Sequence, residues 1–362
     1  MTINRAPNIL WLTNLPAPYR FPIWDHMAEF VTLKVVFLLK KKNWRNWPEP
    51  VNKNWNYNYL SLNSIQLFEY DVIPSVRGVR RILKNIDIAI IGGWESPIYI
   101  RTILKAKKKK IKIIQFYESN SETHIFAKGP IAHIRKWIFS KPDFFVTISK
   151  SSKETLLALG IAPEKIVTLF NPADVHWFYE HSREMNYIPT PGHRFLYVGQ
   201  LIQRKNIARL IEAFALVRTE FDILTVAGEG NEVNALKKMT NELGISEFVK
   251  FVGHKNQSEL AQIYGQHSTL ILPSTNEVWG LVVNEALACG MQVIVSEKCG
   301  VADFVKGMDG VFLCEPTISS ISEGLHWAKR NWRGFIKNPK ILEYNPKTFA
   351  EKLISLLTTP NG

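Results

Sequence analysis

The sequence predicts an α/β protein built from two Rossmann-like, doubly wound parallel-sheet domains. Three observations predict it. Short runs rich in Val, Ile and Phe recur with little polar alternation, as strands buried on both faces do. Amphipathic stretches with helical spacing separate them. The series is broken once, by the polar stretch Glu180 to His193 with its two prolines and glycine. Sheets wrapped by helices, in two copies, satisfy all three.

The strands of the first series are Asn8–Leu12, Leu33–Leu39, Ile86–Ile91, Ile111–Phe116 and Phe144–Ile148. Those of the second are Phe195–Val198, Ile223–Ala227, Val249–Val252, Thr269–Leu272, Val293–Val295 and Val311–Leu313. Ile207, Leu210, Ile211 and Phe214 form one helical stripe. Ser258 is a candidate N-cap for the helix that follows. Gly290 is a natural end for a helix that starts near Gly280. The first domain is placed at residues 1–180 and the second at 190–340. A last helix, Thr348 to Leu357 within about 346–360, is expected to pack back on the first domain.

With 362 residues, 46% hydrophobic and 21% charged, the chain has the composition of a globular protein. No apolar run reaches the ~18 residues of a membrane span, and no signal peptide is visible. Three cysteines, Cys289, Cys299 and Cys314, exclude a four-cysteine zinc site and argue against a disulfide framework. A cytoplasmic setting is expected. The net charge is +13, which favours an anionic partner. Its clusters lie early: Lys40 to Lys42, then Arg77, Arg80 and Arg81, then Lys105, Lys107 to Lys110 and Lys112. Trp44, Trp47 and Trp55 sit among them.

Ligands of such sheets bind beyond the carboxyl ends of the strands. After Phe195–Val198 comes Gly199-Gln200-Leu201-Ile202-Gln203-Arg204-Lys205-Asn206. Its glycine permits a tight turn, and its two cations precede a helix start, which makes a seat for phosphate. Gly228-Glu229-Gly230 is a weaker signal, because Val233 stands where a dinucleotide fingerprint has its third glycine. A nicotinamide or flavin enzyme is disfavoured. After Thr269–Leu272 comes Pro273-Ser274-Thr275-Asn276-Glu277-Val278-Trp279-Gly280-Leu281, with Glu285 further along the same helix. Carboxylates hold sugar and ribose hydroxyls, and helix-start N–H groups hold phosphate.

These motifs resemble the C-terminal half of the family-4 glycosyltransferases. They are Pro273-Ser274, then Glu277 and Glu285 with seven residues between them, Val198-Gly199-Gln200-Leu201 with Lys205-Asn206, Gly228-Glu229-Gly230 and Phe251-Val252-Gly253-His254. Pro16-Ala17-Pro18-Tyr19-Arg20 and Thr147-Ile148-Ser149-Lys150 are more loosely similar. The chain departs from the family at Gln200, where Arg is common, at Asn171-Pro172-Ala173-Asp174, and at Phe116-Tyr117-Glu118-Ser119-Asn120, which lacks the frequent His-Asp pair.

The resemblance implies a GT-B fold, with a nucleotide-sugar domain and an acceptor domain facing a central cleft. It also implies retaining transfer of a sugar from a nucleotide-diphosphate donor. Lys205 and Arg204 would neutralise the diphosphate, and Glu277 would hold the sugar. Gly199 and Gly228 fall in the donor loops; Trp279, Gly280 and Leu281 would offer backbone contacts. Glu285 would hold the ribose, and Gly253 and His254 would line the base. On the acceptor side stand Tyr19, Arg20, Tyr117, Glu118 and His124, with His133 a weaker candidate. The chain has no Asp-x-Asp, so no metal is expected. The acceptor expected is a glycan or lipid-linked glycan of cell-surface polysaccharide or lipopolysaccharide. The basic first domain would rest as a peripheral protein on an anionic membrane face, with Ile131 to Phe139 a candidate contact. Competing readings are a sugar-nucleotide epimerase or phosphorylase, an inactive sugar-nucleotide binder, and a nucleic-acid binder, which lacks any recognised module.

Overall fold

The computed structural model describes residues 5–38, 54–59, 65–67, 70–72, 76–120, 129–183 and 191–358. The chain forms two compact units, Met1–Leu169 with Pro346–Gly362, and Phe170–Asn345.

The first unit runs β1 (Asn8–Thr13), α1 (Phe21–Ala28), β2 (Thr32–Phe37), β3 (Asn56–Tyr59), the hairpin β4 (Ile65–Leu67) and β5 (Tyr70–Val72), and α2 (Val76–Ile82). It continues with β6 (Ile88–Ile91), α3 (Pro97–Lys108), β7 (Lys112–Tyr117), α4 (Pro130–Phe139), β8 (Phe144–Thr147), α5 (Lys150–Ala158) and β9 (Ile166–Thr168). Seven strands pair in the order β3-β2-β1-β6-β7-β8-β9. Every pairing is parallel, which is why the central strands are apolar on both faces. All four residues of β6 are buried. Sequence reading missed β3 and β9, which are short edge strands; edges carry little apolar signal.

The aromatic residues of β1 and α1 stack into one side of this core. Trp24 lies 5.9 Å from Trp11 and 5.2 Å from Trp55. The Trp55 indole N–H donates to Asp25 at 2.6 Å. Trp55 is therefore a core residue, not one of a basic surface. Lys40 to Lys42, Trp44, Trp47 and His124 lie outside the described residues.

The second unit runs α6 (Val175–Arg183), β10 (Arg194–Val198), α7 (Ile207–Val217), β11 (Ile223–Ala227), α8 (Val233–Glu242), β12 (Val249–Gly253) and α9 (Gln257–Gly265). Then come β13 (Thr269–Leu272), α10 (Leu281–Ala288), β14 (Gln292–Ser296), α11 (Ala302–Val305), β15 (Val311–Cys314) and α12 (Ile318–Asn331). Its six strands order as β12-β11-β10-β13-β14-β15. The predicted stripe of α7 is buried as expected, Phe214 against Phe195 at 6.0 Å. Each such ring stabilises the core by about 2–3 kcal/mol. The helix after β12 is capped by Asn256, not Ser258. Asn256 Oδ1 accepts from Glu259 N–H at 3.0 Å while Glu259 accepts from Asn256 N–H at 2.9 Å.

The sequence placed the divide within 180–193, yet the units part at Leu169 and Phe170. The reason is α6, whose Phe178 packs on Tyr264 at 5.7 Å and takes a hydrogen bond from Cys289. The last helix, α13 (Pro346–Thr358), packs on α1, with Phe349 at 6.4 Å from Phe116 and Lys112 donating to Leu357 O.

Two buried histidines make the second unit acid-sensitive. Burial pushes His193 and His267 down to about 4. His193 Nε2 lies 2.7 Å from Thr269 Oγ1, and His267 Nε2 lies 2.8 Å from Thr225 Oγ1. A base whose folded pKa is lowered adds stability that is complete above its unfolded value near 6.5 and is lost as pH falls toward 4. Urea titrations between about pH 7 and 5 are expected to show a fall in stability that is shallower by about one proton in His267→Gln; parallel slopes would refute the assignment.

Candidate functional site

Strand order in the second unit reverses between β10 and β13, the switch point at which helices leave for opposite faces. The loops leaving these two strands therefore begin side by side. The first carries a 3-10 turn, Gln203–Lys205, ended by Asn206 in the left-handed conformation. Asn tolerates that conformation, and its amide N–H groups donate to Pro273 O at 3.0 Å and Pro316 O at 3.1 Å. Asn206 so fixes the cations to the second loop, as does Thr275 N–H on Arg204 O at 2.9 Å. The sequence places Asn206 in the motif beside Lys205 but does not show this bracing contact.

Glu277 sits on the second loop and is held by its own backbone. Its N–H donates to Lys298 O at 3.2 Å, and its carbonyl accepts from Gly300 N–H at 2.8 Å. Its carboxylate takes both cations on one oxygen. Arg204 donates to Oε2 at 3.0 Å, and the Lys205 ammonium donates to the same atom. Lys205 and Glu277 side chains are 11% and 15% exposed, Arg204 44%. The cluster carries one surplus positive charge, half shielded from water, where it acts with little screening.

Gly199 and Gly228 lie where the loops after β10 and β11 meet. Both have positive φ, and a Cβ on Gly228 would stand 1.8 Å from Gly199 O. One on Gly230 would stand 2.1 Å from Leu201 O. These glycines let the loops after β10 and β11 pack backbone to backbone, joined by Leu201 N–H on Glu229 O at 2.8 Å. Gly253 accepts from Gly228 N–H at 2.8 Å and faces open space, and His254 beside it is exposed.

Gly280 opens α10 at φ +107°, and the first N–H groups of that helix, Leu281 among them, point out of it. The Trp279 side chain is internal, packed on Phe304 at 5.5 Å and donating to Asn284 at 3.1 Å. Glu285 lies on the second turn of α10 and accepts from the Tyr264 hydroxyl at 2.7 Å. Burial lifts its carboxyl to about 7, against the pull of that hydrogen bond. Tyr264, twenty-one residues away on α9, had no local signal in the sequence. All three cysteines are buried, with thiols pushed up to about 12 by burial. Among the described residues no group of three or more His, Cys, Asp and Glu is disposed to hold a metal.

In the first unit Arg20 follows β1 and Glu118 follows β7, at the carboxyl edge of that sheet. The two form an ion pair, with the guanidinium 4.9 Å from the Phe116 ring and 5.6 Å from Tyr19. Burial opposes the Arg20 charge, and Glu118 and Tyr19 outweigh it. Tyr117 turns into the core against Phe139 at 5.8 Å, and burial raises its phenol above the usual range. His133 is exposed on α4.

Residues 47–177 match the family Glycosyltransferase Family 4, and residues 179–349 match Glycosyl transferases group 1. The chain belongs to the family-4 glycosyltransferases. It is 22% identical over 301 residues to the N-acetyl-alpha-D-glucosaminyl L-malate synthase of Bacillus anthracis, covering 80% of this chain and 76% of that one. It spans about half the length of most of the curated relatives it matches. The fold is GT-B, as in Anabaena HepE in complex with UDP (TM-score 0.76, 14% identity, 97% of this chain and 99% of that one). A lipopolysaccharide outer core galactosyltransferase in its apo form gives TM-score 0.69 at 18% identity, with 97% and 99% covered.

Gly228→Ala is expected to lower the unfolding free energy by about 2 kcal/mol or more, because backbone meets backbone there. Gly253→Ala, strained only in φ, is expected to lose about 1 kcal/mol. Equal losses in chemical denaturation would show that the loop contact carries no weight.

Proposed function

We propose that this glycosyltransferase moves a sugar, with retention at its anomeric carbon, from a nucleotide-diphosphate sugar to a glycan or lipid-linked glycan. The observation that carries the proposal is the convergence of Arg204 and Lys205 on Glu277, across the switch point and beside the open end of α10. A diphosphate replaces the carboxylate as partner of the two cations, and the freed Glu277 takes hydroxyls of the sugar. The bond from the anomeric carbon to the diphosphate oxygen breaks. The acceptor hydroxyl oxygen bonds that carbon on the same face, and its proton passes to a phosphate oxygen of the leaving group. The cations stabilise charge that grows as the bond breaks, the largest kind of electrostatic assistance a site provides. In this reading they do so without a metal, and the product belongs to cell-surface polysaccharide or lipopolysaccharide.

Glu285, held by Tyr264, accepts ribose hydroxyls, and the backbone of Trp279, Gly280 and Leu281 meets the phosphates. Gly253 and His254 border the base. Tyr19, Arg20 and Glu118 stand on the acceptor side. With Arg20 and Glu118 already paired, they offer an acceptor a fixed polar edge.

Thermal shift with UDP, GDP, ADP and TDP tests the donor site. The right base at 100 times its dissociation constant adds about 2.7 kcal/mol, which moves Tm by a few degrees. Lys205→Ala is expected to abolish the shift. Glu277→Gln is expected to keep or tighten nucleotide binding, because it frees the cations, while turnover drops by about 100-fold or more. Loss of nucleotide binding in Glu277→Gln would overturn the exchange of partners.

Nucleotide affinity should fall as pH drops below about 7, where the raised Glu285 carboxyl takes up its proton and stops accepting two hydroxyls. Isothermal titration with Glu285→Gln is expected to show weaker, pH-independent binding. An unchanged pH profile would remove Glu285 from the ribose.

A further inference from the structure

We infer that Asn284 is a positioning residue for the transfer reaction, fastening the open end of α10 to the segments by which the chain enters and leaves the second unit. Its effect on binding rests on the donor reading above; its structural part rests on the hydrogen bonds of one amide. Asn284 is the fourth residue of α10 and is fully buried. Asparagine is a poor helix former, and an amide shut away from water costs stability unless its hydrogen bonds are made. An apolar residue would suit the helix better. Both ends of this amide are used. Oδ1 accepts from the Trp279 indole N–H at 3.1 Å, and Nδ2 donates to Asn171 O at 3.1 Å. An indole N–H only donates and a backbone carbonyl only accepts, so the partners fix which way round the amide sits. Leu would make neither bond, and an ionised Asp only the first.

Trp279 stands immediately before Gly280, whose left-handed backbone turns the chain into α10. Its carbonyl is held as well, accepting from Val301 N–H at 3.1 Å. Its ring packs on Phe304, and Phe304 carries two more rings. Phe170 stacks on it at 5.8 Å with 19° between the planes, and Tyr344 meets it edge-on at 4.6 Å. Phe170 is the first residue of the second unit and Tyr344 the last but one. Asn171, the other partner of Asn284, follows Phe170 directly. Both segments at which the chain crosses between units are thus fastened to the turn that opens α10. Glu285, the next residue, leaves the helix about 100° further round and is held by Tyr264 of α9 instead. The helix is therefore tied on two sides, one through each residue. A helix start displaced by about 1 Å would present its N–H groups at the wrong distance, and errors of that size cost both binding and rate.

The test uses the full chain with Asn284→Leu, Trp279→Phe, the two combined, and Asn284→Asp. Asn284→Leu keeps the side chain's bulk and removes both hydrogen bonds. Trp279→Phe is milder: it keeps a ring against Phe304 and removes one bond. Hydrogen exchange without ligand reads the bracing itself. Amides of residues 279–283 are expected to exchange about tenfold faster in Asn284→Leu, while those of β10 and the Gln203–Lys205 turn stay as in the wild type. Isothermal titration with UDP, GDP, ADP and TDP reads its use, at a temperature where every variant is folded. The nucleotide that binds is expected to bind about tenfold more weakly to Asn284→Leu and about threefold more weakly to Trp279→Phe. The combined variant should be no weaker than Asn284→Leu, because the indole has already lost its partner. Asn284→Asp tests rescue. A neutral carboxylic acid accepts and donates as an amide does, and burial favours the neutral form. Its affinity relative to the wild type should therefore rise as pH falls from about 8 to 6; taking the ratio removes the loss that Glu285 causes in both. Unchanged exchange in Asn284→Leu overturns the inference. So does faster exchange with unaltered nucleotide affinity, or a ratio that is flat with pH, either of which makes Asn284 a structural residue only. If the wild-type chain binds none of the four nucleotides, the donor reading fails instead, and exchange decides the bracing by itself.

Discussion

Two cations sharing one carboxylate oxygen, across the line where strand order reverses, hold the second unit's loops in place. Lys205 comes from the exit of β10 and Glu277 from the exit of β13, and only the parallel pairing of those strands makes them neighbours. The arrangement is a poor way to gain stability. A partly buried ion pair loses hydration about as fast as it gains attraction, so an apolar pair would serve the fold as well. It is a good way to keep two cations aimed at one point before a ligand arrives. Asn206, Thr275 and the backbone hydrogen bonds of Glu277 fix both sides of that point, so the two charges are held in place in advance. The glycine contact between the β10 and β11 loops supports the same geometry from the other side, where any side chain would force the backbones apart.

The reach of sequence reading follows the range of the interactions involved. Strands β6, β13 and β14 were legible because burial on both faces writes an unbroken apolar run. The ends of α10 were legible because Gly280 and Gly290 take conformations that side chains resist. Lys205, Glu277 and Glu285 stood out because charges beside strand exits or inside apolar helices need a reason. What escaped depends on distant partners. Tyr264 looks like an ordinary core tyrosine until Glu285 is brought to it. Trp55 sits in a basic, tryptophan-rich stretch, and only its neighbours Trp24 and Asp25 make it core. The polar linker misled because composition marks where a chain is tolerant of change, whereas the unit boundary is set by which core α6 fills.

Charge division separates two tasks that one net charge conceals. The first unit holds 28 Lys and Arg against 13 Asp and Glu, net +15, whereas the second holds 17 against 19, net −2, so the second offers no broad field to draw in a nucleotide, itself an anion. Any affinity for phosphate there must come from Arg204, Lys205 and the start of α10 acting over a few ångströms, where partial burial weakens screening. The first unit is the reverse case. Arg20, deep at its sheet edge, is already neutralised by Glu118, and among the described residues Arg80, Arg81 and the lysines that end α3 are exposed. Exposed charges more than about 8–10 Å apart act separately at physiological salt. They are thus ill suited to gripping one small ligand and well suited to an extended anionic surface that each can meet on its own. A local, shielded pair of cations and a spread, solvated field use the same kinds of side chain under opposite screening conditions, one in each unit.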